Sequence, residues 1–374
     1  RWDTGTHYQD LTVSSSACDP SKILKNIPAQ GSVSFEAAVK GPLTDPQVDG
    51  SVKMDQGTVE NIPVQNAAAK VRYQDQHVFV QDMRASVLGG KIAGEAAVSA
   101  ADLSYTAHIK ADGIDLSQAA VYEPSLAAVT GQVSADVGIT GKGLDRSSLQ
   151  VYGNASLNRG TYRGLSVDSL TTSFYAAGDD ITIDYLSANL PNHTSIGLEG
   201  SIKDALETPK LDLAFYGGHV DLSLLQQLDS RIDMSGLADF KGTVHGDASN
   251  PQVAVRFLGQ HGAIFKQPFD SLLFTASGSL DGIGIDSFLM EKDGKETWRA
   301  VGAVGFTGEK KVNLQLDTMG ARMEDIAALL APDQPITGNV DNIIKVTGTL
   351  DNPSATGYIH FYQGSYHGVL LSGM

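Results

Sequence analysis

The chain has 374 residues, a formal net charge of -16 and a sequence pI near 4.8. An acidic chain with no basic stripe is excluded from the phosphate-led binding of nucleic acid, and anionic lipid headgroups are disfavoured as its main contact for the same reason. Gly at 40 positions, 41 % hydrophobic and 19 % charged residues exclude a disordered chain and favour turn-rich β-structure.

In chain order, residues 1–30 read as the tail of a repeat that begins earlier. They contain a short helix candidate at Asp19–Lys25, with Asp as N-cap and Pro20 at the first helical position. Val33, Phe35 and Val39 then alternate with polar residues, as strands do. Val48, Gly50, Val52 and Met54 continue the pattern after Pro46. Val78 and Val80 mark the next clear strand, and Leu103, Tyr105 and Ile109 another. A second helix candidate runs over Asp115–Val121 and is closed by Pro124. Strands follow at Val151–Leu157, Ile181–Ile183 and Leu211–Phe215, then a helix at Asp221–Leu228. Val253–Phe257, Ile283–Ile285 and Val312–Leu316 are the next strands, with turns at Leu280–Gly282 and Lys292–Gly294; an earlier turn falls at Asp179-Asp180. The last helix candidate, Met323–Leu330, is closed by Pro332, and Ala355–Phe361 forms a final strand.

This order repeats. Glycines at 57, 160, 262 and 364 each lie eleven residues after Pro46, Leu149, Pro251 and Pro353, and their spacings are 103, 102 and 102. Asp82, Asp184 and Asp286 are 102 apart. Gly31, Gly131, Gly236 and Gly338 open corresponding segments. A fixed period of this kind signals a repeat architecture. The expected division is 1–30 (tail of a preceding repeat), 31–130, 131–235, 236–337, and 338–374 (start of a fourth repeat). Each copy should hold about six strands and one short helix. The fold class is therefore mainly β, a long curved repeat sheet forming an open groove with one short helix per repeat of about 102 residues.

One face of each strand is apolar, and a large exposed apolar patch is a liability that a fold must manage. The expected groove lining is Val33, Phe35, Val48, Val52, Met54, Val78, Val80, Leu103, Tyr105, Val151, Leu157, Ile181, Ile183, Leu211, Leu213, Phe215, Val253, Val255, Phe257, Ile283, Ile285, Val312, Leu314, Leu316, Ile359 and Phe361. Glycines 50, 153 and 357 fall in this face. They either leave holes that could admit another apolar molecule, or mark bulges that curve the sheet.

The pattern Gly-x-Leu-x-Asp/Asn-Pro-x-Val/Ala-x-Gly-x-Val/Ile at Gly41–Val52 and Gly348–Ile359, with a looser copy at Gly242–Phe257, resembles the AsmA/TamB-like family of diderm bacteria. The resemblance implies a trough-shaped β-groove in the periplasm. An inner-membrane anchor would precede this segment, and an outer-membrane assembly barrel could be a partner. The implied work is passage of phospholipid acyl chains between the membranes, support of outer-membrane protein assembly, or both. The alternative is a structural or adhesive secreted β-solenoid.

Other chemistry is weakly signalled. The nine histidines are scattered without metal-ligand spacing, so neither a metal nor a cofactor is expected. Asp82, Asp184 and Asp286 recur once per repeat, at expected strand ends, which fits a turn or cap better than acid–base work. No nucleophile elbow, phosphate loop or dinucleotide fingerprint is present, and no enzyme is expected. Cys18 stands alone, so no internal disulfide forms. No run approaches the ~18 apolar residues of a membrane span. Both ends are expected to be cuts from a longer chain.

Overall fold

The structure is a computed structural model that describes residues 2–3, 8–22, 28–228, 232–264, 267–324 and 335–371. It divides into two compact units, Arg1–Leu186 and Ser187–Met374. Unit 1 holds β1 (Trp2–Asp3), β2 (Tyr8–Cys18), β3 (Ala29–Pro42), β4 (Gln47–Val59), β5 (Ile62–Gln74), β6 (His77–Val87), β7 (Gly90–Ser99) and β8 (Ser104–Asp115). It continues with β9 (Val129–Lys142), β10 (Asp145–Tyr162), β11 (Leu165–Ala177) and most of β12 (Asp180–Asn189). Unit 2 holds β13 (Ser195–Lys203), β14 (Lys210–Asp221), β15 (Met234–Asp247), β16 (Gln252–Ile264), β17 (Gln267–Ser279) and β18 (Gly282–Lys292). After these come β19 (Lys295–Gly305), β20 (Lys311–Arg322), β21 (Ile336–Thr349), β22 (Pro353–Tyr366) and β23 (Val369–Leu371).

Within each unit, strands pair antiparallel with their neighbours in sequence, as a meander. The mainly-β reading is thus borne out. A β-helix stacks its coils in parallel, so the solenoid alternative does not describe this topology. Hairpins close through two-residue turns such as Glu60-Asn61 and Asp75-Gln76, where both residues have positive φ. That geometry matches the twist of the flanking strands. The turns expected at 179–180 and 280–282 lie at Gly178-Asp179 and Leu280-Asp281, and the one expected at 292–294 lies at Asp293-Gly294.

Six strands and a helical turn recur in order. β3–β8 lead to α1 (Leu116–Ala119), and β9–β14 lead to a 3-10 turn, Leu222–Leu224, that runs into α2 (Leu225–Leu228). β15–β20 lead to two helical residues at Met323-Glu324, and the rest of that candidate, with Pro332, lies outside the described residues. Likewise only Asp19–Lys22 of the first candidate is described; Pro20–Lys22 is a 3-10 turn, and the Asp19 carboxylate accepts from Ser21 N at 3.0 Å. Asp115 and Asp221 cap their turns in the same way, accepting from Ser117 N at 2.8 Å and Ser223 N at 3.0 Å. Pro124 does not close α1, which already stops at Ala119 with Ala120 as its C-cap. It opens a second 3-10 turn, Pro124–Ala128, because its fixed φ suits a first helical position.

The two glycine landmarks are one structural feature. Gly31 pairs with Gly57 across β3 and β4. A Cβ on Gly131, Gly236 or Gly338 would lie 2.9, 2.7 or 2.8 Å from the Cα of Gly160, Gly262 or Gly364. Beside each pair the register slips by a bulge. Side chains close over this end of the strands. Val33, Met54 and Val64 form one buried cluster in unit 1. Leu222, Ala238, Phe269, Leu272 and Met290 form another in unit 2, where the helical turn supplies Leu222.

Candidate functional site

Direct cross-strand partners in an antiparallel sheet share a face, so the register assembles the apolar face row by row. In unit 1 one row runs Ala37, Gly50, Val71, Val80, Ala96, Ala107, Ile139, Val151 and Ala176, from β3 to β11. In unit 2 another runs Phe215, Gly242, Val255, Ala276, Ile285, Gly302, Leu314, Val346 and Ala355, from β14 to β22. Neither row contains a polar side chain. Most of these residues are half-buried rather than covered.

The expected lining falls on these faces with one exception. Leu103 is the residue before β8, has φ +59 and is 58 % exposed. It belongs to the turn that joins β7 to β8, where its carbonyl accepts from Gly143 N at 2.8 Å. Alternation with Tyr105 put it on the strand, but its positive φ ends the strand first. Val33 and Met54 are on the face but inside the self-packed cluster, and Phe257 packs against the unit 2 cluster. Leu157 and Val312 are also buried. Ile181 and Ile183 alternate with Asp184, which accepts from Ser173 Oγ at 2.9 Å on the polar side. Ile359 is 61 % exposed on β22, whose far side pairs only with three residues of β23 among those described.

Glycines 50, 153 and 357 sit in regular register with φ outside the left-handed region, so they are not bulges. Gly50 lines a cavity of about 720 Å³ together with Cys18, Phe35, Val48, Val52 and Val71. The volume lies within the few hundred to ~1,000 Å³ of small-molecule sites.

Asp82 and Asp286 are mid-strand, not at strand ends. The register slips between Val80 and Met83 and between Ile285 and Phe288, so each Asp marks a bulge. Asp82 reaches the outer face, where Lys70 lies 2.7 Å away and holds its carboxyl below the usual range. The outer face carries further pairs: Arg72 with Asp49 at 2.9 Å and Lys110 with Asp136 at 3.2 Å. Such exposed pairs contribute roughly 0–1 kcal/mol each. Their main effect is to keep this face wetted while the other is not.

The sequence reading missed three components. Phe240, Phe274 and Phe288 stand opposite Phe257 and one another across β15–β18. Leu222 and Leu224 of the helical turn are buried. Thr318 and Asn342 place a hydrogen-bonded polar pair, 2.7 Å apart, in an otherwise apolar row. Alternation alone could have identified the phenylalanines. Among the described residues no three of His, Cys, Asp and Glu gather as metal donors, and no helix is long and apolar enough to cross a membrane.

Residues 12–197 match the model of the AsmA family. No match was found among curated proteins or among solved structures. The AsmA family is one of envelope proteins and is not known as enzymatic. With its open antiparallel sheet, one apolar face and recurrent helical turns, the chain belongs to the AsmA/TamB-like family.

Proposed function

We propose that the apolar face of each unit carries phospholipid acyl chains through the periplasm, between inner and outer membranes, from repeats that begin at Gly31, Gly131, Gly236 and Gly338. The observation that carries this reading is the unbroken apolar row from β3 to β11, half-buried and without a covering layer among the described residues. An alkyl chain laid on such a row leaves water at roughly 0.8 kcal/mol per buried CH₂. The same row has no recognition group for a headgroup, so selectivity among phospholipids rests on the chain's net charge of -16 and not on specific contacts. Support of outer-membrane protein assembly, through a barrel partner, is the companion role. An inner-membrane anchor outside this chain holds the groove in place.

Mass spectrometry of lipid that co-purifies with the chain tests this. The native chain is expected to retain phospholipid. Val71→Asp puts an unpaired carboxylate in the middle of the row and should strip most of it, because an alkyl chain cannot solvate a charge. Equal lipid on both proteins would contradict the proposal.

A further inference from the structure

The apolar face is not filled in the same way in each repeat, and the difference lies in one row. Phe240 stands four residues after Gly236 and Phe257 five before Gly262. They face each other on β15 and β16, and Phe274 and Phe288 extend the row across β17 and β18. Phe215 and Phe240 rings lie 6.0 Å apart at its start. The corresponding positions after Gly31 and before Gly57 are Phe35 and Val52, and the next partner on β5 is Ala69. A phenyl ring of the third repeat is therefore a valine in the first, and another is an alanine. Gly50 likewise stands where the third repeat has Val255.

The space follows the side chains. Beside Phe35 and Val52 lies the cavity of about 720 Å³, whereas the opening near Val253, Val255 and Ala276 is about 200 Å³. The smaller side chains of the first repeat leave more room on the open apolar face than the phenylalanines of the third. Glu36 and its cross-strand partner Ser51 also border the cavity, and no cation does among the described residues. The chain's net charge of -16 repels a free fatty-acid carboxylate but not a zwitterionic lipid.

We infer that the cavity in unit 1 is a resting site for a single acyl chain of a zwitterionic phospholipid, and that the phenylalanine row closes the equivalent place in the third repeat. The inference rests on the proposed function but goes further, because it makes the groove a set of unequal stations. Val52 and Phe257 are the residues that decide between open and closed.

Cys18 supplies the reporter, since it lines the cavity and is the only cysteine in the chain. Lauroyl lysophosphatidylethanolamine should slow alkylation of Cys18 by maleimide, and native mass spectrometry should count one bound lipid. Val52→Phe fills the cavity and removes two or so methylene contacts, a loss of about tenfold in affinity. Phe257→Val should add a second bound lipid without changing protection of Cys18. Circular dichroism confirms that both variants are folded; if Phe257→Val is not, Phe257→Leu makes the same test with less lost volume. Binding with no protection of Cys18, or with Val52→Phe unaffected, overturns the assigned site and leaves the proposed function standing. Protection by lauric acid alone overturns the zwitterionic occupant. No binding of either amphiphile by the native chain contradicts the proposed function itself.

Discussion

Gly236→Val is expected to destabilise unit 2 by about 3 kcal/mol or more, through backbone strain and steric clash together. Gly236 has φ +106, where a β-branched residue is a genuine outlier. Its Cβ would lie 2.7 Å from Gly262 Cα and 2.9 Å from the carbonyl oxygens of Gln260 and His261. These are backbone atoms, so relief requires β15 and β16 to separate where the bulge joins them. Gly246→Ala is the control. It also has positive φ, +90, but a Cβ there meets nothing within 4 Å. Only conformational strain is added, on the order of 1 kcal/mol. Urea denaturation of both variants separates the two causes. Equal midpoints would show that the glycine pair is not a close-packed junction.

Phe269→Ala should cost about 3–5 kcal/mol, the range for a buried phenylalanine. The ring is 2 % exposed and packs with Leu222, Leu272 and Met290. It also lies over the junction, since a Cβ on Gly262 would meet its Cζ at 2.8 Å. The helical turn is too short to be stable alone, so losing the ring should release Leu222 as well. Amide hydrogen exchange should rise at Leu222–Leu224 in this variant. Unchanged exchange there would mean that the turn is held by its Asp221 cap alone.

Much of this was legible in the sequence, and the reasons for the rest are physical. Alternation located the apolar face because a strand's side chains switch sides at every residue. It failed at Leu103 because a turn residue next to a strand keeps the same spacing. The role of Asp82 was misplaced, but the signal was present. The apolar positions are Val78 and Val80 before it, then Met83, Ala85 and Val87 after it, so the phase slips by one. Ile283 and Ile285 are followed by Phe288 and Met290 in the same way. That slip is what a bulge does to a two-residue period. Gly31 and Gly57 were separate landmarks in the chain because their contact crosses two strands. The covering role of Leu222 and the size of the cavity beside Val52 depend on tertiary packing, which no local pattern encodes.

Photo-crosslinking in the cell envelope tests the central claim most directly. A benzophenone amino acid at Val52 or Ile359 is expected to capture phospholipid, whereas the same probe at Lys53, on the outer face, should not. Val52 and Lys53 are adjacent in β4 and differ only in the face they occupy. Equal capture from both would contradict a one-sided lipid groove.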